Sequence, residues 1–311
     1  MSNQEIKELN LEQTLEFIET TLREASKFLT QPKTVYFSFK FSISSVPDLG
    51  RAVFTSADIV VQDFIQARLL DAGYSNFGMT AEEDTSLTSC FAQYPQQYRW
   101  VLDPIDGTLN FLSGDAGFQR FVHNKFGKEQ FERYYHLDRE NSSLILGLQM
   151  GILNHYQFLV SGVYFPFTDV FYGAIKDRGS YKNGISFSQQ KNGNSGLIKT
   201  NSLLFRKLQG KSDQVIKAEG AGCTLVRLAE KEDFVFVVEN QGIYDVGPLS
   251  LIVEEAGGLV CDNYGDRPDF GDRNVPLFFA GSSKEHILKA VKSLENLGYY
   301  FIPQIKEGWS A

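Results

Sequence analysis

Residues 100–111 read Trp100-Val101-Leu102-Asp103-Pro104-Ile105-Asp106-Gly107-Thr108-Leu109-Asn110-Phe111. The first three residues are apolar and are typical of the end of a buried strand. Two acids separated by a Pro-Ile pair follow at once, and the next pair, Gly-Thr, favours a turn that opens a helix. This order predicts a strand that delivers two carboxylates to a rigid turn.

The two acids of this stretch predict a cation site. Pro104 fixes φ at about −65° and donates no N–H, so the turn between Asp103 and Asp106 is restrained. Both carboxylates and the carbonyl of Ile105 can converge on one point, and Mg²⁺ prefers oxygen ligands of this kind. The N–H groups of the following Gly-Thr pair can bind an anion at a helix start. A solvated Asp-Pro turn is the plainer interpretation of the acids alone, but it requires neither the preceding strand nor the Thr-x-Asn-Phe that follows.

Composition limits the classes of protein to consider. The 311 residues, 42% hydrophobic, are enough for one large core or two closely packed halves. The net charge of −8 disfavours binding to a nucleic-acid polymer but allows a small phosphorylated substrate whose charge metal ions bridge. Three widely spaced cysteines, Cys90, Cys223 and Cys261, contain no C-x-x-C pair and indicate a reducing, cytoplasmic setting. A signal peptide and an apolar run of ~18–20 residues are both lacking, so we expect no membrane association.

Residues 100–111 match the signature W-x-x-D-P-I-D-G-T-x-N-F, and on this ground the chain resembles the inositol monophosphatase family of Mg²⁺-dependent, Li⁺-sensitive phosphatases. A second motif, residues 242–258, resembles the family pattern W-D-x-A-A-x-x-x-I-x-x-E-A-G-G. Asp245 and the terminal Glu-Ala-Gly-Gly are retained, whereas Tyr244 replaces Trp and Gly247-Pro248 replaces Ala-Ala. The resemblance covers roughly residues 10 to 290 and leaves an insert, Gln119 to Ser142, unmatched.

The resemblance implies an α+β fold, a layered αβαβα sandwich of the inositol monophosphatase and fructose-1,6-bisphosphatase type. Residues 1–188 would form an N-terminal α+β half that carries most metal ligands. Residues 189–311 would form a C-terminal α/β half that carries Asp245, and the two would pack as one compact unit. The residues themselves predict antiparallel strands over 143–152, 156–165 and 169–175, an Asn183-Gly184 hairpin, and a closing strand at 299–301.

Two further segments resemble family motifs. Residues 52–58 resemble D-x-V-T-x-A-D with Ala52 in place of the first Asp, and residues 80–83 resemble G-E-E with the glycine displaced. Alone, Asp58 is best interpreted as a helix N-cap and the Glu82-Glu83 pair as solvated. Six carboxylates in one pocket would repel one another unless cations neutralised them, and an all-oxygen set favours Mg²⁺ over Zn²⁺.

The resemblance then assigns roles to individual residues. The implied ligands of two or three Mg²⁺ ions are Glu82, Glu83, Asp103, the Ile105 carbonyl, Asp106 and Asp245. Glu82, Asp103 and the Ile105 carbonyl would bind the first ion. Asp103, Asp106 and Asp245 would bind the second, so Asp103 would bridge the two. A third, weaker ion would lie near Glu82. The implied catalytic residues are Thr108, Asp58 and Glu82, with Thr108, oriented by Asp58, positioning or deprotonating the attacking water. The implied substrate-binding residues are Gly107, Thr108, Asp106 and Asp245.

Three segments are less well matched to the family. Residues 219–223 resemble its G-S-A-A segment near the substrate only loosely. The insert is better interpreted as an elaborated surface loop than as a substrate lid. His286, in the first turn of a helix predicted by the capping box at 282–285, is expected to face solvent.

The function implied is a phosphoric monoester hydrolase that uses Mg²⁺ to hydrolyse a sugar- or polyol-phosphate such as inositol monophosphate. A 3′(2′),5′-bisphosphate nucleotidase is the alternative, because Leu112-Ser113-Gly114-Asp115 resembles those relatives while Leu109-Asn110 follows the polyol branch. A catalytically weak, phosphatase-like binding protein is a third, given Ala52, Tyr244 and Gly247-Pro248. The expected partner is a small phosphorylated metabolite, and the resemblance leaves room for a homodimer.

Overall fold

A computed structural model describes residues 9–31, 35–46, 49–93, 97–152, 155–189, 195–230 and 232–299 of the chain. Parts of two predicted segments, the closing strand at 299–301 and the boundary near residue 189, lie outside these residues.

Two large sheets account for most of the strands. The first has seven strands, which pair in chain order: Gly78–Ala81 (β3), Tyr98–Asp106 (β4), Ser143–Ile152 (β5), His155–Phe165 (β6), Val170–Ile175 (β7), Gly179–Lys182 (β8) and Ile185–Phe187 (β9). The second has five strands in the order β11-β10-β12-β14-β13: Ile198–Thr200 (β10), Val215–Lys217 (β11), Val235–Gly242 (β12), Leu259–Cys261 (β13) and Asn274–Gly281 (β14). A small antiparallel pair joins Phe37–Phe39 (β1) to Val53–Thr55 (β2).

The helices lie around and between the two sheets. They are Leu11–Ala25 (α1), Lys27–Thr30 (α2), Leu49–Ala52 (α3), Ser56–Asp71 (α4), Thr108–Phe111 (α5), Ala116–Phe126 (α6), Lys128–Tyr134 (α7), Ser202–Leu208 (α8), Ala221–Glu230 (α9), Ile243–Glu255 (α10) and Lys284–Asn296 (α11). Searched over the part of the chain that the structure describes, no helix has both the length and the apolar character needed to span a membrane.

Three clusters of buried apolar side chains hold the layers together. The first joins α1 and α4 to one face of the seven-stranded sheet and contains Ile18 and Trp100. The second fills the space between the two sheets, where α9 and α10 lie, and contains Val101, Phe158 and Phe236. The third packs α8 and α11 on the outer face of the five-stranded sheet. Because successive residues of β4 point to opposite faces, Trp100 and Val101 enter different clusters. The predicted αβαβα sandwich is confirmed.

The central strands also form as the sequence indicates. β5, β6 and β7 pair antiparallel, and the Asn183-Gly184 turn joins β8 to β9 with positive φ angles of 47° and 77°. Two left-handed residues in succession match the twist of a tight hairpin, which is why Asn-Gly is a strong signal there.

Pro248 is the sixth residue of α10, and it packs close to Gly147 of β5. One local expectation is wrong. His286 does not face solvent: it is 1% exposed, and its ring nitrogens lie 3.0 Å from Ser282 Oγ and 2.9 Å from the Ser195 carbonyl oxygen. The segment at Ser195 covers the start of α11, a long-range contact that helical periodicity cannot reveal.

Candidate active site

The site begins where β4 ends. β4 pairs regularly with β5 up to Asp103, and the register then shifts before Asp106. This irregularity allows both acids to point to one side. Asp103 Oδ1 accepts a hydrogen bond from the Ile105 N–H at 3.0 Å, and the Thr108 hydroxyl donates to the Ile105 carbonyl at 3.1 Å. Gly107 has φ +76°, and the predicted helix that follows is a single turn, α5.

Asp106 is held by donors from a distant part of the chain. The N–H groups of Ala221 and Gly222, at the start of α9, donate to its two oxygens at 3.1 and 2.9 Å. The hydroxyl of Ser143 adds a third bond at 3.3 Å. Burial raises the pKa of Asp106 and these donors lower it, with a net rise to about 6. The loosely matched segment 219–223 therefore orients this carboxylate.

The second motif brings Asp245 to the same place. Asp245 lies in the first turn of α10, and it, Asp103 and Asp106 each offer a carboxylate oxygen, all within 4.8 Å of one another. Burial, followed by the charge of Glu82, raises the pKa of Asp103 and of Asp245 well above the ordinary value. Asp103 Oδ2 is buried without a hydrogen-bond partner in the described structure. Three converging acids of this kind are stabilised by a cation.

A second acidic group lies beside the first. Oxygens of Asp58, Glu82 and Glu83 also lie within 4.8 Å of one another. Gln62 of α4 fixes the segment, because its side-chain amide bonds both the carbonyl (2.6 Å) and the N–H (3.1 Å) of Glu83. Burial, followed by the charge of Glu82, raises the pKa of Asp58 to about 8. The Glu82-Glu83 pair is thus a built part of the site rather than a solvated surface pair.

The expected contact between Asp58 and Thr108 is not present. Asp58 Oδ2 instead accepts from the N–H and the hydroxyl of Thr55, at 2.6 and 2.7 Å, in the capping box that starts α4. The hydroxyl of Thr108 is turned toward Ile105, as described above. Asp58 is therefore the third residue of α4 and closes its capping box, and its other oxygen, Oδ1, has no hydrogen-bond partner among the described residues. The interpretation of Asp58 as the N-cap is wrong by three residues, because Thr55 is the N-cap and Asp58 bonds back to it.

Lys40 is a site residue that sequence reasoning missed. Its ammonium lies 3.1 Å from Glu82 Oε1 and 2.7 Å from Glu83 Oε1. Although burial lowers the pKa of Lys40, the two glutamates raise it above the ordinary value. A lysine directly after a short, alternating strand gives no sequence signal for this pairing.

Most of these groups border one cavity of about 320 Å³. Its wall includes Asp103, Asp106, Asp245, Glu82 and the Gly107-Thr108 pair. The predicted site residues Asp58 and Glu83 are not part of that wall.

The insert is more than a surface elaboration. It forms most of α6, all of α7 and a 3₁₀ turn, and two of its residues, Tyr135 and Leu137, line the cavity. The Tyr135 hydroxyl accepts a bond from the Gly50 N–H at 3.1 Å, which ties the insert to α3. The only sequence signal that the insert would line the cavity was its position directly after the β4 motif.

The donor set fits a hard divalent cation. Every converging ligand atom is an oxygen, and no histidine or cysteine belongs to either acidic group of the described residues. Buried oxygens without hydrogen-bond partners, Asp103 Oδ2 and Asp58 Oδ1, are free to bind one. Mg²⁺ prefers such oxygen ligands, whereas Zn²⁺ sites are usually rich in nitrogen and sulfur.

The family profile described as "Inositol monophosphatase family" matches residues 10–296. The chain belongs to the inositol monophosphatase family. Membership supports a phosphatase of this superfamily, and the acidic clusters are consistent with the Mg²⁺ that the family generally uses.

Relatives of this inositol monophosphatase family member are distant. Inositol monophosphatase 3 of Solanum lycopersicum is 25% identical over 243 residues, which cover 71% of this chain and 77% of that protein. Nus factor SuhB of Pseudomonas aeruginosa is 28% identical over 177 residues, which cover 53% of this chain and 56% of that protein. The solved IMPase of Thermotoga maritima has a TM-score of 0.66 at 18% identity and covers 92% of this chain and all of its own, which establishes a common fold.

Proposed function

We propose that this protein is a Mg²⁺-dependent phosphomonoesterase that hydrolyses a small sugar- or polyol-phosphate, such as inositol monophosphate, with water as the nucleophile. One observation carries the proposal: Asp103, Asp106 and Asp245, separated widely in sequence, offer oxygens within 4.8 Å of one another at the wall of a cavity. A cavity of about 320 Å³ suits a small metabolite.

The same carboxylates are the proposed metal ligands. Asp103, Asp106 and Asp245 would hold one Mg²⁺, and Glu82, Asp103 and the Ile105 carbonyl a second. Glu83, which contacts Lys40, and Asp58 would add negative charge beside a third, weaker site near Glu82. When bound, Mg²⁺ at such a site supplies Lewis acidity toward water and phosphoryl oxygens.

The chain's own groups have separate tasks in this proposal. The Thr108 hydroxyl donates to the Ile105 carbonyl, so its oxygen is left to accept a hydrogen bond from a water. That bond would align the water with the phosphorus, while the N–H groups of Gly107 and Thr108 hold phosphoryl oxygens. The water oxygen bonds to phosphorus as the ester P–O bond breaks, and the alcohol leaves with a proton. No enzyme nucleophile is required.

The composition of the cavity wall favours a hydroxyl-rich substrate. The wall carries polar side chains that can bond hydroxyl groups, including Asn201, Ser202, Glu239 and Gln241. Asn201 is itself fixed, because its amide donates to the Glu239 carbonyl at 2.8 Å and to Gln241 Oε1 at 3.1 Å. Prepositioned polar groups of this kind give specificity in small-molecule sites.

The nucleotidase alternative loses part of its support. It depended on residues 112–115, and Asp115 has a structural explanation: it caps α6 by accepting a bond from the Phe118 N–H at 2.6 Å. The names of three relatives, Nus factor SuhB and two putative Nus factors SuhB, keep the binding-protein alternative as the second candidate. The division at residue 189, the cytoplasmic location and a homodimer all stay predictions.

A phosphate-release screen tests the proposal. The purified chain is assayed with inositol 1-phosphate, fructose 1,6-bisphosphate and adenosine 3′,5′-bisphosphate, with and without Mg²⁺, and then with Li⁺. We expect Mg²⁺-dependent release that Li⁺ inhibits. Hydrolysis confined to the adenosine substrate would favour the nucleotidase. Binding of a phosphate ester without any release at saturating Mg²⁺ would contradict the proposal and favour a binding protein.

A further inference from the structure

Lys217 is a cation in the cavity that the proposed chemistry does not use. It is the last residue of β11, and its side chain belongs to the cavity wall. Its ammonium lies 3.8 Å from the ring centroid of Tyr135 and 5.5 Å from that of Tyr134. Among the described residues it has neither a hydrogen bond nor a carboxylate within salt-bridge distance. The insert therefore supplies the aromatic surface on which this ammonium rests.

The other cations near the cavity are already paired. Lys40 lies against Glu82 and Glu83, and Lys199 lies 3.5 Å from Glu219. Glu219, the acid nearest to Lys217 in sequence, also has Arg227 at 3.4 Å. The carboxylate that could have neutralised Lys217 is thus shared between two other side chains.

A partly buried ammonium without an anionic partner, as at Lys217, lowers the stability of the folded protein. Burial lowers the pKa of Lys217 to about 7, only partly offset by the charge of Glu219. A ring face stabilises an ammonium by about 0.5–2 kcal/mol, less than a hydrogen-bonded anion would. An anionic ligand would therefore gain from both the charge and the donors of Lys217.

The position of Lys217 fits a ligand that also reaches the acidic centre. Four residues further along the chain, the Ala221 N–H donates to Asp106 at 3.1 Å. Four residues of extended backbone span at most roughly 14 Å, so the Cα atoms of Lys217 and Ala221 lie within that distance of each other. Both belong to the wall of the same cavity.

We propose that Lys217 binds a second anionic group of the substrate, a phosphate or a carboxylate, that lies away from the phosphate being hydrolysed. Tyr135 is the positioning residue, since it holds the ammonium and is itself anchored to Gly50. The inference rests on the proposed function and narrows its substrate class. Phosphate esters that carry a second anionic group are then better substrates than inositol 1-phosphate, whose only anionic group is the phosphate that is removed.

The test compares kcat/KM across three kinds of substrate at fixed Mg²⁺. Inositol 1-phosphate has no second anion, fructose 1,6-bisphosphate has a second phosphate, and 3-phosphoglycerate has a carboxylate. In the Lys217→Met variant, we expect kcat/KM for the two substrates with a second anionic group, relative to kcat/KM for inositol 1-phosphate, to fall by about 10- to 100-fold. Most of this loss should appear as a higher KM. The loss should be larger for the group, phosphate or carboxylate, that Lys217 binds. Lys217→Arg should restore much of the preference, because it keeps the charge.

A matched control is Lys289→Met, which removes a half-exposed lysine paired with Glu285 on α11. It should leave all three values unchanged. An unaltered preference in Lys217→Met, or equal losses on all three substrates, would overturn the inference while leaving the phosphatase assignment intact. If no substrate released phosphate, the proposed function would fail. Calorimetric binding of fructose 1,6-bisphosphate with Mg²⁺ would then decide the inference, since Lys217→Met must weaken that binding.

Discussion

Asp106 owes its orientation to backbone donors from more than a hundred residues further along the chain. The Ala221 and Gly222 N–H groups can reach it only because glycines at 220 and 222 leave room. A Cβ added at Gly222 would lie 2.3 Å from Ser143 Oγ and 2.9 Å from Asp106 Oδ2, and both distances are shorter than Cβ atoms show in proteins. The orientation of the Asp106 carboxylate therefore depends on the absence of a side chain at Gly222.

Gly222→Ala tests that packing. We expect the variant to lose about 1–3 kcal/mol of stability through overpacking. We also expect it to require a higher Mg²⁺ concentration for half-maximal phosphate release, because Asp106 must move. Gly78→Ala is the control, since its Cβ would meet the nearest atom, Arg99 Cγ, at an ordinary 3.4 Å. A Mg²⁺ requirement equal to that of the wild type would show that Asp106 need not be fixed by Gly222.

The pKa values of the acids predict a pH-dependent effect of Mg²⁺ on stability. Burial raises the pKa of Asp106 to about 6 and that of Asp58 to about 8 from an ordinary 3.8. In the metal-free protein, the contribution of these groups to stability is greatest when they are protonated, and it is lost as pH rises through those values. A bound cation replaces the protons, so its benefit grows with pH.

We therefore expect Mg²⁺ to raise Tm more at about pH 8 than at about pH 5. Thermal unfolding with and without Mg²⁺ across this range measures the effect. The same increase in Tm at both pH values would contradict the assignment of these acids to a cation site.

Among the elements, the short strand β1 contributes more to the site than its length suggests. It positions Lys40, the residue that follows it, against Glu82 and Glu83. This ammonium neutralises part of the negative charge of Glu82 and Glu83. If the group formed by Asp58, Glu82 and Glu83 binds a third cation as proposed, Lys40 competes with that cation.

Lys40→Met should lower stability without Mg²⁺ and increase the stabilisation that Mg²⁺ gives. Without Mg²⁺, loss of the partly exposed ion pairs should destabilise the protein by about 1–2 kcal/mol. With Mg²⁺, the vacated acids should bind the cation more tightly, so the increase in Tm on adding Mg²⁺ should exceed that of the wild type. Lys289→Met again serves as the control. A smaller increase than in the wild type would mean that Lys40 supports metal binding rather than competing with it.

The elements differ in how well sequence predicts them. The long strands β5 to β7 carry continuous apolar patterns, and Asn183-Gly184 has turn geometry that few other pairs adopt. The first helix ends at Ala25 and is followed by the separate α2. Its break at Ser26 is local, because the Ser26 hydroxyl donates to the Arg23 carbonyl at 2.7 Å. Such competition by a side chain is not visible in apolar periodicity.

At the scale of the whole molecule, the layered fold is what brings the site together. β4 lies within the first sheet, and α9 and α10 lie between the two sheets, so the end of β4 meets the starts of both helices. The motifs around Asp103-Asp106 and Asp245 each carry proposed ligands, which is why sequence could name these three acids together. Lys40, Lys217 and Tyr135 could not be named, because their roles arise only from contacts between distant segments.

Whether these carboxylates hold the catalytic cation is tested by Mg²⁺-dependent phosphate release from Asp106→Asn, measured beside Asp213→Asn, which changes an exposed acid away from the site. Circular dichroism and thermal unfolding establish that each variant is folded. We expect Asp106→Asn to lose Mg²⁺-dependent release and Asp213→Asn to keep it. A folded Asp106→Asn variant with turnover near that of the wild type would contradict the claim that these carboxylates hold the catalytic cation.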